Sequence, residues 1–422
     1  MSKVARTSVA VVGSGVSGLT AAYLLNRHHD VTLYESETRL GGHVHTHSID
    51  TAYGPVRVDS GFIVHNDRTY PHLLRLFAEL GVQTRPTEMS MSIADPETGL
   101  EYAGGRGLAG FVARPRQLLD GDYLRMLGAV RRFHREATAF LTTTDDTDPT
   151  TYGAFIEAGA YPRAFVDLYA VPLVSCVWSS GRGDALDYPA RYLFRFLDNH
   201  GMLSVGNSPQ WRTVVGGSAT YVELLAARLT EVRTAAPVRS IRRSPDEVII
   251  TAEGLGERRH DRVVIATHAD DALSLLVDAS PQEKEVLGAF RYSHNATVLH
   301  TDGSLMPKAR GARAAWNYRV GAAASTGAPV VTYWMNRLQG IDERTPLYVT
   351  LNATDDIDPT KILRSMDYTH PIHDLPAIEA QRRLPELNTG RTAYAGAYHG
   401  WGFHEDGCRS GVEAARSFGV TW

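Results

Sequence analysis

With 422 residues, 43% of them hydrophobic and 21% charged, the chain is long enough for two or three domains and has the balance of a folded globular protein. A net charge of -4, from 43 basic against 47 acidic side chains, lacks the electropositive bias of nucleic-acid binding, so no nucleic-acid partner is expected. The 2 cysteines, Cys176 and Cys408, are too far apart for a redox pair and too few for a disulfide framework, which implies a reducing, cytoplasmic compartment.

Lys3 and Arg6 ahead of the run Val9 to Val12 imitate the start of a secretory signal, but glycines and serines interrupt the apolar stretch at once. The run SVAVV reads instead as a strand buried on both faces. It leads into Gly13-x-Gly15-x-x-Gly18, then a stretch of helical spacing, then a second strand, VTLY, ending at Glu35. In such a βαβ unit Gly13 permits the turn, Gly15 lets the backbone approach a pyrophosphate, and Gly18 lets helix and strand pack closely. The helix N-terminus faces the phosphates. Glu35 stands 22 positions after Gly13, where a carboxylate accepts hydrogen bonds from the adenosine ribose and disfavours NADP.

The pattern recurs at Gly105, Gly107 and Gly110, but after LEYAG and without a matching second strand and acid, so this copy reads as a loop. No GxSxG elbow, HExxH helix, P-loop or second well-placed nucleotide fingerprint is present in the sequence. His43, His45 and His47 alternate and would share one face of a strand, yet no cysteine or carboxylate has ligand spacing with them. No metal site is expected, and polar contacts near a cofactor are the preferred reading. The polar stretch 142–151 reads as a surface loop between helices. Residues 106–136 hold seven arginines against Asp120, Asp122 and Glu136, interleaved with Phe111, Leu118, Leu119 and Leu124. Two readings stay open there: a basic amphipathic surface making peripheral membrane contact, or a helical pair with a solvated face.

The continuation of the opening motif, ESETRLGGHVHT, places Arg39, Gly41 and Gly42 just after the acid. With this segment the chain resembles the flavin-containing amine oxidase superfamily, which implies FAD as cofactor. The implied fold is α/β: a Rossmann-like FAD-binding domain assembled from discontinuous segments (1–90, 205–290 and 385–422), with an inserted α+β substrate domain (91–204 and 291–384). Later stretches continue the likeness. TVVGGSATYVELLAARL supplies a glycine pair and helix leading to Val238, whose backbone would meet the adenine; DRVVIATHADDAL places Ala266 and Thr267 at a turn; YAGAYHGWGFHEDG places Gly396 before a helix beginning near Gly407, with Asp406 as its N-cap. That helix would aim its positive end at the flavin pyrimidine. The resemblance further implies cofactor contacts from Ser17, Ser36, His43, Gly61, Phe62, Phe403 and His404.

DSGFIVHNDRTYPHL, DYPARYLFRFLDNHGMLS, QWRTVVGGS, VTYWMNRLQ and GAYHGWGFHEDG are similar to a subgroup of predicted oxidoreductases associated with cyclopropane-fatty-acid synthases. This likeness implies an apolar, fatty-acyl or related lipid substrate and a cyclopropane-synthase-like methyltransferase as partner. Two departures count against the usual amine oxidation. Many relatives carry an acid where Ala397 stands, and many carry a lysine on the strand corresponding to FRYSHNATVLH, which has none.

The implied activity is hydride removal from an apolar substrate onto flavin N5. Its alternatives are a redox-neutral double-bond isomerase, a flavin-bearing partner of a lipid methyltransferase, and an amine oxidase. Candidate catalytic side chains are His404, Tyr398 and Trp401 in the late glycine-rich loop, and His200 in LDNHGMLS, for which a structural role is preferred. The clusters Trp316 to Tyr318 and Tyr333 to Asn336 read mainly as core packing.

Overall fold

The β-branched run Ser8–Val12 is the central strand of a five-stranded sheet, flanked by Asp30–Tyr34 and Glu231–Arg233 on one side and by Arg262–Ile265 and Thr392–Tyr394 on the other. All four pairings are parallel. A parallel sheet is covered on both faces, and alternate residues of the central strand divide accordingly. Val9 and Val11 pack with Leu19, Tyr23 and Leu24 of the helix Val16–Leu25, while Ala10 and Val12 pack with Ile241, Val248 and Ile250 of an antiparallel three-stranded layer. The computed structural model describes residues 6–204, 208–321 and 327–422. Lys3 and the expected segment boundary at residue 205 lie outside the described residues.

A second, seven-stranded sheet gathers Met91–Asp95 and Leu100–Gly104 with five strands between residues 291 and 372. Its end nearest the cofactor half is a long antiparallel pair, Arg291–His300 with Ile362–Ile372. The other end is the edge strand Leu100–Gly104. A helical layer holding Phe133, Phe165, Phe194 and Trp178 packs into one aromatic cluster with Ile93 and Tyr102 of this sheet. Both cysteines are buried and free, with Thr20 Oγ1 donating to Cys408 Sγ at 3.6 Å. No helix among the described residues is long and apolar enough to cross a membrane.

Four local expectations change. LEYAG is a buried strand, and the glycines after it open a short helix, Gly107–Phe111, rather than a loop. That strand is antiparallel to Met91–Asp95 and sits at a sheet edge, so it builds no βαβ unit. The C-terminal helix begins at His404, three residues before Gly407. Asp406 is therefore not the N-cap; it lies in the first turn and accepts a hydrogen bond from the Phe403 N–H at 3.1 Å. Of the alternating histidines only His47 is on a strand, Thr46–Thr51, because a turn occupies the residues before it. The helix Gly121–Thr143 extends into the stretch expected to be a loop.

Candidate functional site

The site grows from a crowding problem at the start of the helix Val16–Leu25. A Cβ on Gly13 would lie 2.7 Å from the Ala266 carbonyl oxygen, and one on Gly18 would overlap the Gly13 carbonyl. Gly13 also adopts φ +98, a conformation side chains resist. Gly15 differs in kind, since a Cβ there meets nothing within 4 Å. Gly42 faces that space, with its own Cβ position 3.2 Å from Gly15 Cα, and the Gly41 N–H donates to the Ser14 carbonyl at 3.1 Å. The two glycine turns thus border an open cradle at a helix N-terminus, which fits a pyrophosphate.

Glu35 is buried beside this cradle. Its carboxylate accepts from the Ser14 N–H at 2.9 Å and the Glu37 N–H at 2.9 Å, and from the hydroxyls of Ser14 and Ser36 at 2.5 and 3.1 Å. The N–H bonds fix the carboxylate, whereas the hydroxyls are rotors that a ribose diol can replace. The Glu35 carbonyl accepts from the Ala236 N–H at 2.9 Å, two positions before Val238. Arg39 donates to the carbonyls of Gly42 and Val44 at 2.8 and 3.1 Å and so holds the second glycine turn.

A second helix N-terminus converges on the first. Gly407 leaves room for Val16 and Ser17, whose side chains a Cβ would meet at 2.6 and 3.0 Å, and a Cβ on Gly411 would overlap the Ser17 carbonyl. The two first-turn acids of the C-terminal helix have different partners. Glu405 accepts from the N–H groups of His72 and Leu73 at the start of the helix Pro71–Leu80, at 3.1 and 3.0 Å. Asp406 lies near Arg409 at 3.5 Å, and burial still raises its carboxyl to about 6. Glu405 thus serves the start of a neighbouring helix, while Asp406 stays at the positive end of its own, bonded to the Phe403 N–H.

His404 is the first residue of that helix. Its ring stacks on Phe62, with centroids 3.7 Å apart and planes 5° apart, and its Nε2 is 2.8 Å from the Tyr221 hydroxyl. Burial lowers it to about 3, so it is neutral at ordinary pH. Gly61 is required beside it because a Cβ would overlap the His43 carbonyl.

His43 is turned inward, between Tyr368 and His370 at centroid distances of 5.2 and 5.3 Å and with His268 at 6.3 Å. Its Nε2 is buried without a hydrogen-bond partner among the described residues, an unmet polar atom that a bound heterocycle can satisfy. Burial holds His43 well below its ordinary value, and His370 at about 4. Around them His45 Nδ1 is 2.9 Å from the Tyr368 hydroxyl, which is 2.6 Å from Ser60 Oγ, itself 2.8 Å from His47 Nε2. Thr267 and His268 close the turn after Arg262–Ile265, with His268 stacked on Tyr292 at 4.4 Å.

The four proposed catalytic side chains do not share one pocket. Tyr398 belongs to the core beneath the parallel sheet, edge-on to Phe290 at 5.1 Å, its hydroxyl buried without a partner among the described residues. Gly396 lacks a side chain because a Cβ there would overlap the Tyr398 ring. Trp401 turns the opposite way, toward Tyr192 and Phe196 at 5.8 and 5.9 Å. His200 uses both ring nitrogens, one on the Phe196 carbonyl at 2.9 Å and one on Thr69 Oγ1 at 3.1 Å, a structural arrangement. Phe403 stacks on Phe196 at 4.9 Å and lies 6.0 Å from Trp178, so the loop before the C-terminal helix meets the helical layer through aromatic faces.

Sequence reasoning passed over Asp59. This fully buried carboxylate accepts from the Ser218 N–H at 2.9 Å, Ser218 Oγ at 2.9 Å and Gln339 Nε2 at 2.8 Å, joining the second glycine pair to the helix Met335–Gln339. Burial raises it to about 6. Its one sequence signal is an acid embedded in the apolar-flanked stretch VDSGF. The histidines 43, 45 and 47 gather no metal-ligand set; among the described residues such a grouping occurs at His268, Asp270 and Asp271, whose two acids are exposed.

Open glycine cradle, buried acid and two convergent helix N-termini, set against a mixed seven-stranded sheet, define an FAD-dependent oxidoreductase. The chain belongs to the flavin containing amine oxidoreductase family, which matches residues 16–300. It is 27% identical over 254 residues to amine oxidase [flavin-containing] A of Canis lupus familiaris, covering 57% of this chain and 46% of that protein. It is 25% identical over 279 residues to the flavin-dependent L-tryptophan oxidase RebO of Lentzea aerocolonigenes, covering 61% and 57%. The chain thus spans about half the length of these curated relatives. Its fold matches a CLA-producing fatty acid isomerase from P. acnes (TM-score 0.68, 19% identity, 99% of this chain and 100% of that one). It also matches the cyclohexylamine oxidase of Brevibacterium oxydans IH-35A (TM-score 0.68, 16% identity, 98% of each chain).

Proposed function

We propose that this oxidoreductase takes a hydride from an apolar acyl lipid. The observation that carries the reading is the cluster of aromatic side chains Phe403, Phe196, Trp178 and Trp401, which meets the start of the C-terminal helix. The strand Arg291–His300 supports it: where many relatives carry a lysine, this strand has Tyr292 and Asn295, and its neighbour has Tyr368 and His370. The likeness to oxidoreductases associated with cyclopropane-fatty-acid synthases points the same way.

FAD, when bound, supplies the hydride acceptor. The chain's part is to hold and shield it. Ser14 and Glu37 orient the Glu35 carboxylate toward the ribose, and Gly15 and Gly42 admit the pyrophosphate. His43, His370 and His404, kept neutral by burial, provide polar edges without adding charge beside the reacting carbon. The positive end of the C-terminal helix would favour negative charge on a flavin ring bound against it. Apolar and aromatic walls exclude water.

The experiment is product mass after incubation with unsaturated and methyl-branched acyl lipids and, separately, with amines. A product lighter by two hydrogens establishes dehydrogenation. A product of unchanged mass with a displaced double bond establishes the redox-neutral isomerase, the activity named for the P. acnes protein of like fold. Turnover of amines with none of lipids overturns the lipid reading.

A further inference from the structure

We propose that residues 107–131 form a docking surface for an anionic lipid bilayer. Five of the nine exposed large hydrophobic side chains among the described residues fall in one short stretch: Leu108, Phe111, Leu118, Leu119 and Leu124. Leu119 is 89% exposed and Leu108 is 83% exposed, values of a side chain packed against almost nothing. Scattered exposed leucines are ordinary, whereas a contiguous group on a folded surface marks an interface.

The exposure is built in, because the polar and small residues between these leucines anchor the segment to the protein. Gln117, 2% exposed, donates to the Glu101 carbonyl at 2.5 Å and accepts from the Arg114 N–H at 2.8 Å. Arg114 pairs with the Glu101 carboxylate at 2.9 Å. The Tyr123 hydroxyl donates to the Phe111 carbonyl at 2.6 Å, tying the long helix Gly121–Thr143 to the short helix before it. Gly110 sits so close to the edge strand Leu100–Gly104 that a Cβ would lie 2.5 Å from the Ala103 carbonyl. With the polar groups turned inward, the leucines are held outward along the free edge of the seven-stranded sheet.

Charge selects the occupant. Arg116, Arg125 and Arg131 are exposed on the same segment, and Arg135 is exposed just beyond it. Among the described residues Arg116 and Arg131 have no carboxylate within ion-pair distance, while Arg125 pairs with Asp122 and Arg135 lies 3.7 Å from Glu136. Leucines inserting at the headgroup boundary beside guanidinium groups that lack a carboxylate partner suit phosphate-bearing anionic lipid. The surface lies at the sheet end opposite the strand pair that carries His370, so docking leaves the cofactor cradle uncovered.

The test is co-sedimentation of the FAD-loaded full chain with vesicles of phosphatidylcholine mixed with phosphatidylglycerol, against phosphatidylcholine alone, with light scattering on the same samples. Binding is expected to the mixed vesicles and to weaken with added salt. Leu118→Asp with Leu119→Asp is expected to reduce binding by roughly a hundredfold, and Arg116→Glu with Arg131→Glu by about tenfold or more. The flavin spectrum and melting temperature should stay unchanged, since these side chains are solvated. Absence of binding to mixed vesicles, or undiminished binding by the leucine variant, overturns the proposal. So does a dimer that the leucine variant dissociates while no vesicle binds, because the surface then serves a second copy of the chain.

Discussion

The cradle around Gly13, Gly15 and Gly42 and the aromatic wall around Phe403 lie close together yet are specified in opposite ways. The cradle is backbone: each glycine is needed because a Cβ would strike a carbonyl or fill a space meant for a ligand. The wall is side chain against side chain, from segments as distant as Trp178, Phe196 and Phe403. Steric necessity leaves a mark at one position in the sequence, whereas aromatic packing can be met by many residues in many places. The cofactor is therefore read with less ambiguity than the substrate.

The sharpest way to break this contrast is within the cradle itself. Gly18→Val should cost more than about 4 kcal/mol, because its Cβ overlaps backbone that cannot yield, and the protein should not accumulate in folded form. Gly15→Val, whose Cβ meets nothing, should fold with an unchanged far-ultraviolet spectrum and carry no flavin absorbance. A flavin-loaded Gly15→Val protein would remove the cradle from the site. Phe403→Ala tests the wall: kcat/KM for an acyl lipid should fall roughly tenfold to a hundredfold while flavin content is retained, measured by steady-state kinetics on the loaded enzyme.

The elements separate along the same line. The βαβ unit and Glu35 follow from one run of about thirty residues because the turn, helix and acid are neighbours in the chain. The resemblance places the start of the C-terminal helix near Gly407 with Asp406 as cap; in the fold the helix starts at His404 and Asp406 works from the first turn, reaching back to the Phe403 N–H. Tyr398 and Trp401 stand three positions apart yet pack against different cores, since Tyr398 lies inside the short helical turn Ala397–His399 and Trp401 follows it. The enclosure of His43 by Tyr368 and His370 depends on the register of two long strands, Arg291–His300 and Ile362–Ile372, far along the chain, which no local pattern states.

Acidity separates the same regions more gently. His200 and His370, lowered by burial to about 4, and His404, lowered to about 3, bind protons more readily when unfolded. Their contribution to stability is complete above the ordinary histidine value near 6.5 and declines as pH falls from there toward 4. Asp59 and Asp406, both raised to about 6, act in the opposite sense, since the folded chain holds their protons more tightly between about 4 and 6. With more histidines than carboxylates so shifted, melting temperature should decline as pH falls from 6.5 to 5, by scanning calorimetry of the flavin-loaded protein. Replacing both acids by Asn should steepen that decline.

The smallest effect belongs to Tyr398. Tyr398→Phe removes a buried hydroxyl with no partner among the described residues, so stability should be unchanged or gain up to about 1 kcal/mol, with kcat unaltered. A large loss of kcat would return Tyr398 to the reacting center and erase the division between core and wall.

The central claim, that the FAD held in the glycine cradle accepts hydride from an apolar lipid, is tested most directly by the visible spectrum of the purified protein under anaerobic conditions. Spectra are taken before and after adding unsaturated or methyl-branched acyl lipids and, separately, amines. The account predicts an oxidised flavin band that a lipid bleaches and amines leave intact. Bleaching by amines with none by any lipid would contradict it.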